Sequence, residues 1–230
     1  MNEPLADRVA AVAALDEPTR RRLYEYVVRR PAPVSRDEVV AALHIPRASV
    51  AFHLDKLVGE HLLAVTYQRR TGRQGPGAGR PAKLYHRSER PVSVSLPERH
   101  YDLAGHLLAA TLEEADRSGQ PARTILERHA HQLGEELGET IRTADRDGPG
   151  ADRLLLALDR QGYEPRTQGD QVFLGNCPFH ALAQAHTDLV CGMNLSLLDG
   201  LLAGLDQTGM RAHLDPTPGH CCVRLAPVST

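Results

Sequence analysis

All four cysteines of this 230-residue chain fall in its last quarter: Cys177, Cys191 and the adjacent pair Cys221 and Cys222. Thirteen residues separate Cys177 from Cys191, and 29 separate Cys191 from Cys221. Thiolates hold iron–sulfur clusters and, together with histidine, tetrahedral zinc. The spacing is not the C-x-x-C of a zinc ribbon. It puts one sulfur at a strand end, one on a helix and one on a closing hairpin, so a shared site would tie three elements together. Buried cysteines also serve as ordinary small core residues, and spacing alone does not separate the two readings. Along the last strand Cys221 shares a face with Val223 and Leu225, whereas Cys222 shares the other with Arg224. That alternation makes Cys221 the better ligand candidate. His180, His186 and His220 stand near enough in sequence to supply a fourth ligand.

The elements that must position these groups follow from periodicity and breakers. Residues 5–15 repeat apolar positions at helical spacing, and Asp16-Glu17-Pro18 ends that helix and opens the next, with Leu23, Tyr26 and Val27 inward. Ser35-Arg36-Asp37-Glu38 reads as a capping box for a short helix. After His44-Ile45-Pro46 comes a helix with Val50, Leu54, Leu57 and Val58 on one side. Short helix, tight turn and second helix make a helix-turn-helix. Strands at 63–69 and 83–86 around the glycine-dense segment 71–79 make a wing. That segment lacks the GK[ST] ending of a phosphate loop and runs into a strand.

Farther on, helices are expected at about 97–117 and 121–144, with Leu103, Leu107, Ala110 and Leu112 as a seam for a partner helix. A linker at 145–150 leads to a helix (152–162), strands (164–168 and 171–176), a helical stretch to Leu205 and a hairpin of 210–214 with 221–225. The fold class is therefore α+β, in three parts: a winged helix-turn-helix over 1–90, connecting and dimerisation helices over 91–150, and a small α+β sensor domain over 151–230.

Charge divides the chain the same way. Residues 1–90 carry 16 Lys or Arg against 10 Asp or Glu, and residues 91–230 carry 11 against 19. A basic front is the electrostatic footprint of a nucleic-acid binder. On the helix after Pro46 the outward residues Arg47, Ser49, Phe52, His53 and Lys56 suit groove or phosphate. The wing adds Arg69, Arg70, Arg73, Arg80 and Lys83, which would bind the backbone in a salt-sensitive, sequence-independent way. No apolar run approaches the ~18 residues of a membrane span, and the start MNEPLADRVA has no signal-peptide pattern. A cytoplasmic location is expected, where clustered cysteines favour metal or redox chemistry over disulfides.

The segments SVAFHLDKL, GRPAKLYH, NCPFHALAQAHTDLVCGMNLSLLDGLLAGL and PGHCCVRL together resemble the winged helix-turn-helix regulators of the ArsR/DeoR-like group that include the Suf-operon repressor (SufR-type) proteins. The resemblance implies a homodimeric repressor on double-stranded operator DNA that controls cluster-assembly genes. It also implies an iron–sulfur cluster, 4Fe–4S or 2Fe–2S, held by Cys177, Cys191 and Cys221, with the extra Cys222 leaving the hairpin ligand open. Competing readings keep the same front: a zinc or thiol-redox sensor, or a small-effector sensor with core cysteines. A fourth, an enzyme using Cys177 beside His180, lacks a positioned base and an oxyanion signature, so no enzyme activity is expected.

Overall fold

The computed structural model describes residues 4–68, 81–144, 150–206, 208–216 and 219–228. The chain divides into two units, Met1–Val94 and Ser95–Thr230.

The front unit contains α1 (Leu5–Ala14), α2 (Pro18–Val28), β1 (Val34–Ser35), α3 (Arg36–Leu43), α4 (Arg47–Gly59), β2 (Leu63–Gln68) and β3 (Ala82–Arg87). Local chemistry sets the boundaries. Glu17 caps α2 by accepting from the N–H groups of Thr19 and Arg20, at 3.0 and 2.6 Å. The Ser35–Glu38 capping box opens α3 in both directions, as its sequence predicts. His44, in the left-handed region at φ 54°, ends α3. Leu23, Val39, Val50, Leu54, Leu57 and Tyr85 lie fully inside one core. The three strands are antiparallel in the order β1-β3-β2, with Val65 opposite Tyr85.

The rear unit holds α5 (Tyr101–Ser118), α6 (Ala122–Ala144), α7 (Gly150–Arg160), β4 (Pro165–Gln168), β5 (Gln171–Leu174), α8 (His180–Ala185), α9 (Thr187–Leu205), β6 (Met210–Leu214) and β7 (Val223–Pro227). The four strands run in the order β4-β5-β7-β6, all antiparallel. Helices α5, α6, α7 and α9 share a core with the sheet. Its axis is the contact of α6 with α9, made possible by Gly134 and Gly138 on one helix and Gly200 and Gly204 on the other. A Cβ at Gly134 would stand 2.0 Å from the Leu197 carbonyl oxygen, and one at Gly200 2.0 Å from that of His131. Only glycine permits so close an approach of two backbones.

Three expectations change. Helix α5 starts at Tyr101 instead of about 97, because the His100 N–H is drawn to the Pro178 carbonyl at 3.0 Å. Its inward stripe is Ala104, Leu107 and Thr111, while Leu112 is 60% exposed; nine residues, about two and a half turns, put Leu112 on the side opposite Leu103. Helix α9 is long and apolar enough to cross a bilayer by composition, contrary to the absence of such a run expected from the sequence. It is the buried core helix of this unit.

Candidate DNA interface and thiol site

In the front unit, α4 buries Val50, Leu54 and Leu57 and turns its other side outward. Phe52 is 66% exposed, Arg47 and Lys56 are exposed, and Ser49 is half-buried. The charged members have protein partners: Arg47 pairs with Asp37, and Lys56 with Glu60. His53 turns back toward α2 with only 15% of its side chain exposed. Lys83 on β3 sits 2.6 Å from Asp55, and that carboxylate holds its ammonium above the ordinary lysine range. Arg69, Arg70, Arg73 and Arg80, with the glycine-dense segment, lie outside the described residues.

In the rear unit the four cysteines, scattered over 46 residues of chain, come together. The turn after β5 presents Cys177, α9 presents Cys191, and the approach to β7 presents Cys221 and Cys222. Cys177 neighbours Cys221, Cys221 neighbours Cys222, and Cys222 neighbours Cys191, each close enough to perturb the other's titration. Burial follows the expected alternation: Cys221, Val223 and Leu225 are inside, and Cys222 and Arg224 are half-buried. The hydrogen bond to Cys221, then burial, pushes Cys177 far up. The bond with Cys177 favours a Cys221 thiolate, but the bond with Cys222 and burial outweigh it, and that thiol is pushed up to about 12. Burial raises Cys191 as well.

Polar groups that the sequence reading did not single out hold this cluster in place. Asn176 donates to the Gly162 and Glu98 carbonyls at 2.6 and 3.0 Å and accepts from Arg99, fixing the turn ahead of Cys177. Arg99 also reaches the Cys177 carbonyl at 3.3 Å, and its charge favours a Cys177 thiolate. The Cys221 N–H bonds the Leu174 carbonyl at 2.9 Å, tying the hairpin to β5. The fully buried Asn194 donates to the Cys221 sulfur at 3.3 Å and accepts from Tyr163. Of the histidines, His180 and His186 are exposed. His220 is half-buried against Phe173, with an unpartnered Nδ1.

Among the described residues no three His, Cys, Asp or Glu side chains are already disposed as ligands of one metal ion. The donor set nevertheless fits a soft metal centre: an all-sulfur group, largely buried, with a guanidinium and an amide donor beside it.

A family model described as a helix-turn-helix domain matches residues 15–66. That span holds α2, β1, α3, α4 and the first four residues of β2. The protein is thereby a DNA-binding transcription regulator with a helix-turn-helix at its N-terminal end. No curated protein and no solved structure matches the chain.

Proposed function

We propose that this regulator is a homodimeric, cytoplasmic repressor that binds a palindromic operator through α4 and a wing built on β2 and β3, and that reports iron–sulfur status through its rear unit. Cys177, Cys191 and Cys221 would hold the cluster, 4Fe–4S or 2Fe–2S, and cluster-assembly genes would be its targets. When bound, the cluster supplies thiolate-ligated iron that is lost under oxidation or iron shortage. The chain's own part is to gather three distant segments and keep water from their sulfurs. The observation that carries the reading is the meeting of all four thiols in one patch of the rear unit, with Cys177, Cys191 and Cys221 buried. Coupling to DNA is modest in energy, since a 100-fold change of operator affinity needs about 3 kcal/mol between states.

The test is purification without oxygen, followed by iron, acid-labile sulfide and zinc analysis, visible absorption, and operator binding before and after cluster removal. Brown protein with iron and sulfide supports the reading; colourless protein with zinc, or with neither, removes it. A thiol-redox or zinc sensor is the second reading, favoured by the position of Cys222 against both Cys191 and Cys221. In that case oxidation or zinc, not iron, would release the DNA.

A further inference from the structure

Helix α9 is apolar on nearly all sides, yet at its centre Asn194 is completely buried. An amide in such a place is unfavourable by a few kcal/mol unless both ends are bonded. Both are. Its Oδ1 takes the Tyr163 hydroxyl hydrogen, and its Nδ2 points at the Cys221 sulfur at 3.3 Å. Tyr163 is itself buried in the same core. A phenol O–H prefers the amide oxygen over a weakly accepting sulfur, so the tyrosine fixes which way the amide faces and commits its N–H to Cys221. A neutral thiol accepts weakly. A metal-held thiolate is an ionic acceptor, for which such a bond is about twice as strong.

We infer that Asn194, oriented by Tyr163, is a positioning residue that selects Cys221 over Cys222 as the hairpin sulfur and strengthens its hold on a bound metal centre. This rests on the cluster reading above for its functional consequence, but the hydrogen-bond chain itself belongs to the metal-free protein. The pair also explains why a polar residue occupies the middle of a core helix only three positions beyond Cys191.

Two measurements test it. In metal-free, reduced, isotope-labelled protein, the Asn194 side-chain amide resonances should move in Cys221→Ser and in Tyr163→Phe and stay in place in Cys222→Ser. The reverse pattern overturns the inference, whether or not any cluster binds. In cluster-loaded protein challenged with an iron chelator, Asn194→Leu should lose iron about tenfold faster than wild type, the worth of one hydrogen bond to a charged acceptor. Tyr163→Phe should lie between, and Tyr163→Phe combined with Asn194→Leu should match Asn194→Leu alone. Loss rates within twofold of wild type in Asn194→Leu, or additive effects in the double variant, overturn it. Asn194→Ala, which removes the donor without adding bulk, covers the case in which leucine does not fold. A wild-type protein that takes up no iron sinks the cluster reading, while the resonance shifts still decide the hydrogen-bond pairing.

Discussion

His53 Nδ1 lies 3.5 Å from Glu17 Oε2, joining the middle of α4 to the carboxylate that caps α2. The contact is an ion pair when the imidazole is protonated; its geometry is not that of a hydrogen bond. A residue expected to face DNA is thus turned toward the body of the front unit. His53→Ala should lower the melting temperature of that unit and weaken operator and unrelated duplex by the same factor. A changed ratio between the two duplexes would instead assign His53 to base reading.

Lys83 and Asp55 form the second such pair, at 2.6 Å on the exposed side of β3 and α4. Asp55→Asn frees the ammonium for phosphate. The variant should bind unrelated duplex more tightly at low salt, with a log–log salt slope steeper by about one; Lys83→Ala should be shallower than Asp55→Asn by the same amount. Equal slopes in the two variants would place Lys83 away from the DNA.

The sequence makes legible what is local and periodic. The Ser35–Glu38 box, the stripe of Val50, Leu54 and Leu57, and the alternation of Cys221 with Cys222 are each decided within a few residues. Glu17 is 36 positions from His53, and Asn194 is 31 from Tyr163, so neither partnership leaves a periodic trace. The sequence does carry one long-range signal: Gly134 with Gly138, and Gly200 with Gly204, each repeat at the one-turn spacing that lets helices touch.

That spacing carries its own prediction. A Cβ on Gly200 would meet the His131 carbonyl oxygen at 2.0 Å, so Gly200→Ala should destabilise the rear unit by about 3 kcal/mol or more, read by chemical unfolding. Gly105 on α5 has nothing within 4 Å. Gly105→Ala should therefore be neutral or stabilising by up to about 1 kcal/mol, through helix propensity alone. Similar losses in both would mean that α6 and α9 do not approach as described.

Substitution of the four thiols separates their roles. Cys177→Ser, Cys191→Ser and Cys221→Ser should each abolish iron uptake and weaken operator binding, while Cys222→Ser should retain both. Because Cys221 sits near 12 and Cys177 is raised further, loading competes with protons and should release them. Proton release on loading, followed in weakly buffered solution, checks this. Damage confined to Cys222→Ser would transfer the hairpin ligand to that residue.

Glu114 links α5 to α6 by accepting from Arg128 at 2.5 Å and from His129 at 2.8 Å. The Arg128 hydrogen bond, opposed by partial desolvation and aided by His129, holds its carboxyl below the ordinary 4.5. A carboxylate depressed in the folded state stabilises it fully above the unfolded value, and the contribution disappears as pH falls through the folded one. Glu114→Gln should therefore melt below wild type at pH 7. The gap should narrow only once pH drops under about 4.5 and should close when the wild-type carboxyl is protonated in both states. Thermal scans of the two proteins from pH 7 to pH 3 provide the check. A gap independent of pH would mean that the glutamate acts through packing and not through its charge.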